Sequence, residues 1–243
     1  VFFTMIITRK KKFIHQMIIM VIIFLFFIIT FAPIVWVNYV FKKNDKILPN
    51  MPFDAYEFGE QLIKELKLSN VRIEKTLISD HYDLDEKKVK VHEDRFKRKS
   101  LTSISVICHE IGHAIQHSED YSPLITRTKL VKNTQWINKI SMYLIYIGFP
   151  VIFATGLLSL IKVCVLLILL SALTGVIVHL ITLEVEFDAS FNKAYPIIKQ
   201  KIPEVYHDSC RSVLRAAAFT YVVGVFKNLI SLRMIWSVMS KIR

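Results

Sequence analysis

Cysteine is scarce in this chain: three among 243 residues, Cys108, Cys164 and Cys210, odd in number and far apart. That excludes a disulfide framework or a CxxC metal knuckle, and it says nothing about compartment. Two of the three lie in apolar context and read as packing residues. Acidic residues are also few, 20 against 32 lysines and arginines, for a net charge of +12 and a pI of about 9.6. Such a surplus suits nucleic acid or anionic lipid headgroups. The chain lacks a basic surface interleaved with aromatics, and its basic residues gather at the edges of apolar runs, as in "TRKKKF" and "VFKKNDK". A lipid bilayer is therefore the expected partner and nucleic acid is not. Internal repeats and low-complexity tracts are absent.

Apolar sequence is abundant: 53% of residues are hydrophobic and the mean hydropathy is +0.42. Behind a basic segment, 1–16, residues 17–40 are apolar apart from Thr30 and Asn38. At 1.5 Å per residue they can span a hydrocarbon core. No small-x-small cleavage site follows, so 17–41 reads as a retained anchor, kinked at Pro33, with Trp36 and Tyr39 in the interfacial belt. The chain begins at Val1, and Met5 is an alternative start. Residues 140–161 and 163–183 predict two further spans in a tight hairpin broken only by Lys162. Residues 203–243 predict a hydrophobic helix with a polar stripe of Gly224, Lys227, Asn228 and Ser231, either a fourth span or an interfacial helix.

Residues 42–139 are globular in composition. Phe58, Leu62, Ile63 and Leu66 recur at helical spacing. "VRIEKT" and "KKVKVHED" alternate like half-buried strands, with "SDHYDLDE" as the turn between them. Leu101, Ile104, Ile107 and Ile111 predict a helix over 100–117 capped by Ser100. The expected fold is mainly α: a multi-pass membrane protein with three to four membrane helices and a small α+β soluble domain.

That last helix carries "SVICHEIGHAIQHSEDY", residues 105–121, with a His-Glu-x-x-His core. Residues four apart share a helix face, so His109 and His113 can offer two imidazoles to one zinc ion. Glu110 stands beside them, within reach of a water on that metal. Gly112 leaves room for another element to approach closely. Chance supplies this motif in roughly one chain in a hundred of this length, so a third ligand must be found. His117 lies about 12 Å from His109 along the axis, too far. Glu119 stands where metzincins carry their third histidine, but Gln116 replaces their glycine, and that pattern fails. There remains the acidic cluster Glu184, Glu186 and Asp188 at the mouth of the 163–183 run, where unengaged carboxylates are costly. Spacing alone does not choose among the three.

Four stretches, "SDHYD" (79–83), "HEIGHAIQHSEDYSPL" (109–124), "VEFDAS" (185–190) and "VLRAAAFTYV" (213–222), resemble the YugP-type family of neutral zinc metallopeptidases, integral membrane proteins of bacteria. The resemblance implies a zincin-like catalytic region over 42–139, Zn²⁺ as cofactor, a peptide or protein substrate and a place in the bacterial cytoplasmic (inner) membrane. The family's acidic stretch reads L-P-V-E-F-D-A-S. Glu184 replaces its proline, which implies Glu186 as third metal ligand with His109 and His113, on a helix over 184–202. The stretch is also similar to the Glu-x-x-Ala-Asp element of membrane peptidases related to HtpX. Ser190 departs from the Asp of that element, which leaves Asp188 to orient a histidine ligand. His81, Tyr82, Arg215 and Tyr221 are candidates for the donor that stabilises the oxyanion only because they lie in family-like stretches, and each is expected to be structural rather than catalytic.

The expected reaction is peptide hydrolysis with Glu110 as catalytic base. The rival is a zinc-stabilised membrane scaffold without hydrolysis, which would not need Glu110. "KKVKVH" is expected to bind extended substrate along a free edge. Three spans would bring the 42–139 region and Glu186 to one side of the membrane. "RKKK" at 9–12 favours a cytoplasmic N-terminus, a bias that "FKKNDK" nearly cancels.

Overall fold

The computed structural model of the chain describes residues 2–156, 160–219 and 222. Helix α1 runs unbroken over Phe2–Asn44 and carries Pro33 inside it. After α2 (Ala55–Glu65) come three short strands, β1 (Arg72–Thr76), β2 (His81–Asp83) and β3 (Lys88–His92). A single turn α3 (Glu93–Phe96) leads to α4 (Leu101–Ser118). Helix α5 (Ser122–Tyr143) passes through a π turn (Leu144–Gly148) into α6 (Phe149–Thr155). Helix α7 (Ile161–Phe187) continues through a second π turn (Asp188–Ala194) into α8 (Tyr195–Lys201). Helix α9 covers residues 207–219.

The caps are written in the sequence. Asp54 and Glu57 close a reciprocal capping box on α2, each side chain accepting from the other's backbone N–H at 2.9 Å. Ser100 caps α4 by accepting from the Ser103 N–H at 3.2 Å, while its own hydroxyl donates to Asp45 at 2.6 Å. Thr102 donates to the Phe41 carbonyl at 2.8 Å. The end of α1 is thereby fixed to the start of α4.

The sheet differs from the expected hairpin. Its order is β1-β3-β2, with β1 and β3 parallel and β2 antiparallel to β3. The "SDHYDLDE" segment is not all turn: His81–Asp83 is one of the two edge strands, and the reversal falls just after it. There Asp83 accepts from the Asp85 and Glu86 N–H groups at 3.0 Å and Lys87 adopts a left-handed φ of 55°. The "KKVKVH" strand is central, paired on both sides, and has no edge to offer a peptide. Val89 and Val91 point into the core with Ile73 and Tyr82, as their alternation requires. Lys88 and Lys90 on the opposite face pair with Glu74, Asp83 and Glu86.

Phe58, Leu62, Ile104, Ile107 and Ile111 close one core with the sheet's inner face. Burying each contributes about 1.5–3 kcal/mol. A smaller cluster joins Val37 and Val40 of α1 to Val106 of α4 and Val213 and Ala216 of α9. The apolar arm behaves differently. Among the described residues one helix, Val163–Lys201, is long and apolar enough to cross a membrane. Lys162 does not break the two apolar runs but lies within α7. The chain leaves α6 at Gly156, whose φ of 71° is left-handed and favours glycine. Nor is there a break at 183: α7 carries straight on through Glu186. The polar stripe expected at 224–231 lies outside the described residues.

Candidate metal centre

Every residue of α4 from Leu101 to Ala114 is buried, and so is Gln116. A helix enclosed on all sides has its polar side chains fixed by what surrounds them. His109, Glu110 and His113 are buried in its middle turns, and Glu186, 3% exposed, meets them from α7. One ligand atom from each of His109, His113 and Glu186 lies within 4.8 Å of the others. Glu186 Oε2 stands 3.0 Å from His109 Nε2 and 3.4 Å from His113 Nε2. Ligands about 2.0–2.1 Å from a tetrahedral zinc stand roughly 3.3 Å apart, so both separations fit a shared ion.

The far sides of the imidazoles carry the second half of the fit. His109 Nδ1 lies 3.0 Å from Ser190 Oγ, and His113 Nδ1 lies 2.9 Å from Gln116 Oε1. Gln116 Nε2 spends its two hydrogens on the Val185 carbonyl at 2.9 Å and Asp188 Oδ2 at 2.8 Å. Its Oε1 must therefore accept, so His113 Nδ1 carries a proton and Nε2 is left to bind a metal. Two imidazoles, one carboxylate and, among the described residues, no fourth protein donor would leave a tetrahedral ion one position free.

Two features draw α7 this close. A Cβ on Gly112 would lie 2.6 Å from the Ala189 carbonyl oxygen, so the π turn rests directly on α4 at a position only glycine permits. The π turn then shifts the residues after Glu186 so that Asp188 reaches Gln116 while Ser190 reaches His109. This corrects the expectation for Asp188, which supports a histidine only through Gln116, and for Ser190, which despite departing from Asp does hold a histidine.

Burial pushes the Glu110 carboxyl above its ordinary range, partly offset by the two imidazoles. Burial alone would lower His113, but the Glu186 carboxylate outweighs it and lifts the metal-free imidazole to about 9. A proton thus sits where a cation would replace it.

Two cavities open on Glu110. One of about 130 Å³ is walled by the ligand residues together with Asp80, His81, Tyr82 and Arg127. The other, about 270 Å³, runs between α1, α4 and α9 past Phe41, Val106, Val213 and Leu214. His117 stands away from the ligands, 2.9 Å from the Tyr82 hydroxyl. Glu119 pairs with Lys193 and Glu184 is exposed towards Tyr121. Arg215 lies over the Trp36 ring, outside the cleft. Tyr221 is outside the described residues. Sequence reasoning missed Arg127, which nothing in its neighbourhood marks, and gave Gln116 no part in the site although it lies three residues after His113 on the same face.

A family described as putative neutral zinc metallopeptidase matches residues 18–240. The chain is 31% identical over 197 residues to the putative membrane protease YugP of Bacillus subtilis, covering 79% of this chain and 83% of that protein. No solved structure matches.

Proposed function

The chain belongs to the putative neutral zinc metallopeptidase family, and on that premise we propose that it is a membrane-embedded zinc endopeptidase with Glu110 as its base. The observation that carries this is the convergence of His109, His113 and Glu186 on one point, with Glu110 buried in the same cavity. The donor set fits zinc, which when bound supplies Lewis acidity, lowering the pKa of a water and polarising a carbonyl. Every other part belongs to the chain. Glu110, its basicity raised by burial, accepts the proton of the attacking water and returns it to the leaving amine. Ser190 and Gln116 hold the imidazoles in one orientation throughout. Edge pairing of extended substrate passes from "KKVKVH" to β2, the edge strand whose His81 and Tyr82 line the cleft; β1 is the other edge. The 270 Å³ cavity suits a large apolar side chain beside the scissile bond.

The multi-pass arrangement, with anchor 17–41, spans 140–161 and 163–183 and a possible fourth in 203–243, belongs to the same proposal. So does the bacterial cytoplasmic membrane as its location. Supporting it are the apolar length of α7 and the name of the Bacillus relative. The rival, a zinc-stabilised scaffold, shares the metal but not the need for Glu110. Glu110→Gln separates the two: zinc content stays full while chelator-sensitive proteolysis falls about 10²–10⁴-fold. Proteolysis that persists in this variant rejects the base.

A further inference from the structure

We propose that Arg127 is a catalytic residue: its guanidinium binds the oxyanion that develops at the scissile carbonyl. This rests on the peptidase reading above. The 130 Å³ cavity places Arg127 on the same wall as Glu110 and the three ligand residues. A substrate carbonyl attacked by a water at Glu110 has its oxygen in that cavity, open to the donors that line it.

Most of that wall is already committed. His81 Nδ1 donates to the Ser79 carbonyl at 2.8 Å. The Tyr82 hydroxyl is engaged 2.9 Å from His117 Nδ1. Asp80 is an acceptor, taken up by the His92 N–H and by Arg95. Leu84 and Leu124 have nothing to give, and the two histidines present Nε2 to the metal position.

Arg127 differs. It reaches the cavity from α5, and its Nε is anchored on Thr182 Oγ1 at 3.3 Å, one turn before Glu186 on α7. Thr182 sends its own proton to the Val178 carbonyl at 2.7 Å, so it accepts from the arginine. Among the described residues no carboxylate forms an ion pair with this guanidinium, and the residue lines the cavity. A permanent charge anchored by one edge and half-buried in the wall it shares with Glu110 needs little rearrangement as negative charge appears in the cavity.

The test uses zinc-loaded full-length protein and a fluorogenic peptide blocked at both ends. Arg127→Met lowers kcat by about 10²–10³-fold with KM and zinc content unchanged, and Arg127→Lys recovers part of the loss. Affinity for a phosphinic peptide, which carries a tetrahedral oxyanion, falls by the same factor as kcat/KM. Affinity for the uncleaved peptide, measured on Glu110→Gln with and without Arg127→Met, stays the same. A loss in KM alone overturns the proposal, as does a loss confined to peptides with a free terminal carboxylate, or a kcat that does not change. A wild-type protein without chelator-sensitive hydrolysis overturns the peptidase reading first, before any arginine variant is compared.

Discussion

Helices α4 and α7 supply the same metal centre from opposite surroundings. Helix α4 is enclosed by the core along almost its whole length. On α7, Val163, Leu166, Leu170, Leu173, Ile177 and Leu180 lie 45–59% exposed before Val185 and Glu186 drop to 0% and 3%. One helix is placed by packing on every side. The other packs along α5, burying Cys164, Val165 and Val176, and its last turns are held by polar and backbone contacts: Gln116 on Val185 and Asp188, Ser190 on His109, and Gly112 against Ala189. The two histidines thus belong to a site that core packing preorganises, whereas the carboxylate depends on a joint between two environments.

Breaking the joint at its centre has the largest effect. Glu186→Ala should cost more than the roughly 10–100-fold in zinc affinity that supporting residues carry. Metal analysis after dialysis reads this, and full occupancy would show that α7 contributes no ligand. The same variant removes the carboxylate that holds a proton on His113. Its metal-free titration, near 9 in the intact protein, should then fall, because burial alone favours the neutral ring. Imidazole NMR against pH gives the direction.

Gln116→Leu leaves the ligands but frees the Val185 carbonyl, Asp188 and His113 Nδ1 at once. Zinc affinity should drop about 10–100-fold while helix content persists. An unchanged affinity would mean that the glutamine serves packing alone. Gly112→Ala is the smallest and sharpest change. Alanine gains about 1 kcal/mol in helix propensity, but its Cβ would press on the Ala189 carbonyl at 2.6 Å, and overpacking costs about 1–3 kcal/mol. The two terms nearly cancel in thermal stability, so the displacement of α7 should register in zinc affinity, at about tenfold. A lower Tm with zinc binding intact would locate the cost in the core instead.

The sequence was most legible where one short range of residues settles the matter. The cap at Ser100, the amphipathic α2 and the stacking of His109 over His113 all follow from spacing within a few positions. The room made by Gly112 was likewise readable, although not what would fill it. The strand order was not, because "SDHYD" pairs with β3 across the sheet rather than folding back as a turn. The choice among Glu184, Glu186 and Asp188 needed family resemblance, since three carboxylates within five residues look alike until the helix phase at their own turn is known. Ser190 and Asp188 were misjudged for a related reason. A π turn changes that phase, and no residue in 188–194 announces one. Arg127 was invisible because its role depends on α5 lying alongside α7, a contact between segments 55 residues apart.

The distance along the chain between His109 and Glu186, 77 residues, has a consequence for biosynthesis. A ribosome adding about 5–20 residues per second needs roughly 4–15 s to get from one to the other. During that interval the histidine helix exists without its carboxylate. The three-residue metal cluster stays incomplete until the far half has been made.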